Sequence, residues 1–159
     1  MTSLDESARK DLRASVSRLD AAIANFMRRW GTPALRASLA VVFVWFGALK
    51  PLGLSPAADL VRATVGWMPL LSPDGWLAMI GWWEVSIGLT FLHRRSLRIA
   101  IALLAMQMVG TFLPLVILPA VTFHEFPYAP TMEGQYIIKN LVIISAALVI
   151  GGTVREPRE

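Results

Sequence analysis

Cysteine is missing from this 159-residue chain. That excludes disulfides, thiolate nucleophiles, iron–sulfur clusters and cysteine-ligated zinc in one step, so any redox role must use another group. Histidine occurs only twice and charged residues make up 16% of the sequence. No glycine-rich phosphate loop, nucleophile elbow or zinc-protease motif is present. The first thirty residues mix acids and bases instead of placing a basic tip before an apolar stretch and a small-residue cleavage site. No secretory signal peptide is expected, and the first membrane helix would itself direct insertion.

What the chain has in excess is apolar: 55% of residues are hydrophobic and the mean hydropathy is +0.57. These values do not describe a water-soluble core. Six Trp, ten Pro and eleven Gly suit a membrane bundle with interfacial aromatics and an interior that tolerates small and kinking residues. The net charge of +4 does not imply a nucleic-acid partner, because the bases lie between apolar stretches and not in one patch. The expected partner is the lipid bilayer.

Four stretches have crossing length, at Thr32 to Leu52, Gly75 to Leu92, Leu97 to Ala120 and Gln135 to Thr153. They predict an all-α fold, a four-helix transmembrane bundle. Before them, Leu4, Leu12, Val16, Leu19, Ile23, Phe26 and Trp30 recur at helical spacing with the charges largely elsewhere. That pattern predicts an amphipathic N-terminal helix over residues 1–31, lying at the membrane interface or bound to a partner. Residues 32–154 then form the membrane domain and 155–159 a tail. The turn from His93 to Ser96 is too brief for anything but antiparallel neighbours.

Twelve of the fifteen bases fall on one side of this arrangement: Arg9, Lys10, Arg13, Arg18, Arg28, Arg29, Arg36, Arg94, Arg95, Arg98, Arg155 and Arg158. The positive-inside tendency makes that side cytoplasmic, with both termini there. The connections Pro51 to Asp74 and Val121 to Gly134 then lie outside. The apolar stretch from Leu60 to Leu71 in the first is too short to cross and is expected to be re-entrant or surface-lying.

The residues that carry information are polar ones in an apolar setting. A lone carboxylate at Glu84 would cost about 2.5–3.5 kcal/mol in mid-membrane, so it must be protonated, paired or hydrated. Gln107 on the next span stands at the same depth, about 13 Å from the shared turn at 1.5 Å per residue. Lys50 and Lys139 are each able to snorkel outward or bend toward Glu84, and Asn140 adds a donor and an acceptor. Gly81, Glu84 and Gly88 share one helix face, and Gln107, Gly110, Thr111 and Pro114 share another. Pro114 is expected to kink its helix and leave the Gly110 carbonyl without its usual donor. Lys50, Glu84, Gln107, Lys139 and Asn140 are therefore the candidates for a ligand or proton site. A pair that merely fixes helix register, or lysines that snorkel away from a neutral Glu84, are the alternatives. His93 and His124 fall on opposite faces, which argues against a bis-histidine haem. His124 with Glu125 lacks a third ligand for a metal.

The runs Phe43 to Lys50 (FVWFGALK), Gly81 to Leu92 (GWWEVSIGLTFL) and Phe126 to Asn140 (FPYAPTMEGQYIIKN) resemble the DoxX-like family, most closely its reactive-chlorine-resistance branch. The resemblance covers residues 33–154. It implies a four-helix inner-membrane protein, with some relatives serving as membrane subunits of a thiosulfate:quinone oxidoreductase and others linked to oxidative or chlorine stress. Lys50, Glu84 and Lys139 match recurrent polar positions of the family, whereas Asn140 stands where the close branch often has Asp. The outer connection Pro51 to Asp74 is shorter than in some relatives.

Three functions are consistent with these features. The first is a redox-associated membrane component that takes a quinone-like molecule, with Glu84 exchanging a proton and a lysine holding the oxygenated head group. It would not be a complete enzyme alone, since without flavin, haem or thiol the electrons come from a redox partner protein. The second is a scaffolding subunit that recruits a partner. The third is a small-solute transporter, which needs a homo-oligomer to enclose a path.

Overall fold

The computed structural model describes the backbone of residues 2–155 and the side chains of residues 12–154. The expected positions Leu4, Arg9, Lys10, Arg155 and Arg158, and the tail beyond 155, lie outside the described side chains. Two units are distinguished by their internal contacts, Met1–Leu35 and Arg36–Glu159.

The second unit is all-α in its framework. Helix α1 covers Thr2–Leu49, with Pro33 inside it, so that it supplies the first unit and its residues 36–49 open the second; no helix end falls at residue 31, where the separate N-terminal helix was expected to stop. Its end is a C-terminal cap. Gly53, with φ +72°, supplies the left-handed residue, its N–H donates to the Lys50 carbonyl (3.1 Å), and the Leu54 N–H donates to Leu49 (2.9 Å). The expected boundary at Leu52 thus falls within this cap.

Helix α2 (Ala58–Val65) follows, then α3 (Pro73–Leu92), whose N-terminus has Ser72 accepting from the Gly75 N–H and Pro73 at the first helical position. The short α2 buries Thr64 and Val65 and packs on α3. At about 12 Å for eight residues it cannot cross, as expected for the Leu60 to Leu71 stretch. Arg62 ties it to α3 by donating to Asp74 (2.7 Å) while also meeting Asp59 (3.0 Å).

A turn at Arg94–Ser96 reverses the chain into α4 (Leu97–Phe112), and α5 (Pro114–Ile117) and α6 (Pro119–Thr122) step onward. The helix is interrupted at Pro114, as expected, but the Gly110 carbonyl is not left free: it accepts from the Leu113 N–H at 3.3 Å. A tightened last turn supplies the donor that proline lacks. The expected Leu97 to Ala120 span is therefore broken twice, at both prolines.

A small antiparallel pair, β1 (Phe123–Glu125) and β2 (Ala129–Pro130), forms the next connection. Helices α7 (Met132–Ile138) and α8 (Asn140–Gly152) complete the fourth span in two pieces. Thr131 caps α7 by accepting from the Gly134 N–H (3.2 Å) and donates its own hydroxyl proton to the Val121 carbonyl (2.7 Å). Gly134 is required here because any Cβ would run into the Thr122 carbonyl.

Four helical stretches, Leu12–Leu49, Pro73–Leu92, Arg94–Ile117 and Met132–Gly152, are long and apolar enough to cross a membrane. Large apolar side chains such as Val109, Val116, Val142 and Leu148 point outward from them, while Ile87, Phe91, Leu97, Leu104 and Ile150 fill the interior. An exterior as apolar as its interior belongs in lipid. The chain is a multi-pass membrane protein.

Candidate functional site

The crossing of α1 and α3 is made by small residues. A Cβ on Gly81 would stand 2.6 Å from Pro51 Cδ and 2.7 Å from the Gly47 carbonyl, and one on Gly88 would stand 2.8 Å from the Ala40 carbonyl. Gly47 in turn faces the Gly81 carbonyl and the Glu84 Cβ. Such backbone approach is available only where side chains are absent, and it sets Glu84 directly beside the end of α1.

There the Lys50 ammonium donates to Glu84 Oε2, closing an ion pair whose side chains are 8% and 14% exposed. From α4, Gln107 Nε2 donates to the other carboxylate oxygen, Oε1, at 3.0 Å. Three helices therefore converge on one carboxylate, with a cation on one oxygen and an amide on the other. Two ammonium protons of Lys50 and the amide oxygen of Gln107 remain as capacity for a further polar group. The arrangement is able to hold a proton or to offer donors to an oxygenated head group. The chain itself contains no cysteine.

Two further candidates do not join. Lys139 is exposed and lies over the Tyr136 ring, 5.2 Å from its centroid. Asn140 turns its amide back on α7, donating to the Tyr136 and Ile137 carbonyls at 3.0 and 3.1 Å. The cause is helical phase. Gly134 and Ile137 face the interior, and two residues further along the chain has turned Lys139 to the opposite side. The expected face of Gln107, Gly110, Thr111 and Pro114 also divides. The buried face of α4 runs through Leu97, Ala100, Leu104 and Met108, so Gln107 stands at its border and Gly110 is exposed with nothing within 4 Å of a Cβ.

No family model, curated protein or solved structure matches this chain.

Other polar groups support the site without belonging to it. Trp83, one residue before Glu84, donates its indole N–H to the Leu103 carbonyl of α4 (3.3 Å) and holds the two helices at the depth where Gln107 meets Glu84. Arg36 donates to the Phe91 (3.1 Å) and Leu92 (2.9 Å) carbonyls, capping the C-terminus of α3 with a positive charge. Arg36 was counted in sequence only among the bases of one membrane face. A lone arginine at the start of an apolar run was the available signal for a more specific task. Gly47, missed as well, was signalled by its position one turn before Lys50.

Away from the spans, the Arg62 guanidinium is held above its ordinary pKa, first by its hydrogen bond to Asp74. The Tyr128 phenol is likewise raised because it donates to Glu125, an interaction that favours the protonated phenol. That contact also gives Glu125 a partner other than a metal. Two shallow recesses lie elsewhere: one of about 380 Å³ beside Arg98, Ile101 and Gly151, and one of about 330 Å³ along Ala40, Val44 and Leu89.

Proposed function

We propose that this chain is a DoxX-like, redox-associated component of a bacterial inner membrane, with both termini cytoplasmic. In this proposal the Lys50–Glu84–Gln107 cluster receives the oxygenated head group of a quinone-like molecule and exchanges a proton with it. The observation that carries it is the convergence of an ammonium, a carboxylate and an amide from three helices within a membrane-spanning bundle. Ionisable groups are expensive in that setting and are retained there chiefly for function. Lys50 would hold a developing oxyanion while Glu84 gives or takes the proton. Electrons would come from a partner protein, since the chain has no thiol and the cluster carries none.

A second function, a scaffolding subunit, is favoured by one specific observation. Both oxygens of Glu84 are already in use, and the two recesses lie away from the cluster. In that case the pair pins α1, α3 and α4 in register and the partner is all that matters.

Binding of a short-chain quinone to the purified protein separates the two. Saturable binding is expected for the parent, with loss in Glu84→Gln and Lys50→Ala preparations matched for folding. Absence of binding by the well-folded parent would overturn the ligand site and leave the scaffold.

A further inference from the structure

Within the first unit, Leu12, Val16, Leu19, Ile23, Phe26 and Trp30 follow one another at steps of four, three, four, three and four on a single helix. At 100° per residue they fall within a stripe about 80° wide, which Met27, 64% exposed at its edge, extends to about 100°. All six are between 45% and 66% exposed. Arg13, Arg18, Asp20, Arg28 and Arg29 lie off the stripe, and five charges in this short segment keep it out of hydrocarbon. A row of large apolar side chains is thus exposed along this helix.

We infer that the occupant is a second copy of the same chain, and that residues 12–30 form a parallel two-stranded coiled coil. The 4-3 spacing is that of heptad seam positions, with Val16, Ile23 and Trp30 at a and Leu12, Leu19 and Phe26 at d. β-Branched Val16 and Ile23 at a with Leu12 and Leu19 at d favour two parallel strands, and Phe26 and Trp30 end the seam with aromatic rings. Membrane insertion places this segment of every copy on the same face, which makes the copies available to one another. The flanking positions carry no like-charge conflict: in a parallel pair Ser15 faces Asp20, Ala22 faces Met27 and Arg29 faces Ala34.

Area points the same way. The twelve seam side chains of a pair cover roughly 1,000 Å² between them, after discounting what each already buries on its own helix. That is the lower limit for a specific interface. Confinement of both copies to one membrane raises their effective concentration and offsets the shortness of the seam. A lipid surface would engage Arg13, Arg18, Arg28 and Arg29 but calls for no heptad register, and Asp20 borders the stripe that it would cover.

The absence of native cysteine makes the test direct. Single cysteines at the seam (Val16→Cys, Leu19→Cys, Ile23→Cys) and on the opposite side (Ala14→Cys, Ala21→Cys, Arg28→Cys) are oxidised in native membranes holding the full-length protein. The expected result is a disulfide-linked dimer at the seam positions and little at the others, with Leu19→Glu abolishing the link at Ile23→Cys while the protein stays inserted. Links of equal yield around the helix would overturn the inference. So would no links at all, whether the seam cysteines are shielded by lipid or covered by a different protein.

Discussion

At the residue scale, Lys50 and Glu84 present a buried pair whose two charges have no other described counter-charge. Desolvating both is costly, and their attraction with the Gln107 hydrogen bond offsets that cost only while the set is intact. Lys50→Met, which strands the carboxylate, is expected to destabilise the protein by about 3–5 kcal/mol. The double change Lys50→Met with Glu84→Leu is expected to recover most of that loss, because a matched apolar pair needs no compensation. Thermal unfolding in detergent measures both. A double variant no more stable than the single one would show that the pair is not the coupled unit described. Ligand binding would remain absent in the double variant, which keeps stability and function apart.

Glu84 and Gln107 were legible as partners because the brief turn between their spans fixes antiparallel neighbours, and equal counts from that turn fix equal depth. Lys50 and Lys139 were not distinguishable in that way. Each lies near a helix end with a flexible stem, and only the local rotation of α7 against the bundle turns Lys139 out onto Tyr136.

At the scale of elements, the α1–α3 crossing is governed by three glycines with no room for a methyl group. Gly81→Ala places a Cβ against Pro51 Cδ and the Gly47 carbonyl, and Gly88→Ala places one against Val44 and the Ala40 carbonyl. Each is expected to cost about 1–3 kcal/mol through the shifts it forces. Gly110→Ala meets open space and is expected to leave stability unchanged or slightly higher, since alanine is the better helix former. Equal effects at Gly81 and Gly110, read by unfolding midpoints, would refute the close crossing. The glycines of α3 were recognisable in sequence from their spacing around Glu84. Gly110 had the same spacing relative to Gln107 yet faces outward, because periodicity gives relative phase along a helix and not the direction of its neighbour.

For the whole molecule, crossing at each of the four candidate spans would return the chain to the side on which it began. Twelve of fifteen bases on that side lead us to expect it to be the cytoplasm. A membrane-impermeant thiol reagent applied to intact cells is expected to label Tyr128→Cys but to reach Ala21→Cys only after permeabilisation. The reverse pattern would invert the topology.

The sequence by itself determined that the chain is helical, that it carries four stretches long and apolar enough to cross a membrane, and that Glu84 and Gln107 stand at equal distance from their shared turn. These follow from run length, composition and residue counts along one chain, which need no knowledge of neighbours. Tertiary structure alone decided which lysine pairs with Glu84, that Arg36 caps α3, that Trp83 bridges to α4, and where the prolines break the third span. Each of these depends on the rotation of one helix against another, and that rotation is set by side-chain packing between segments distant in sequence.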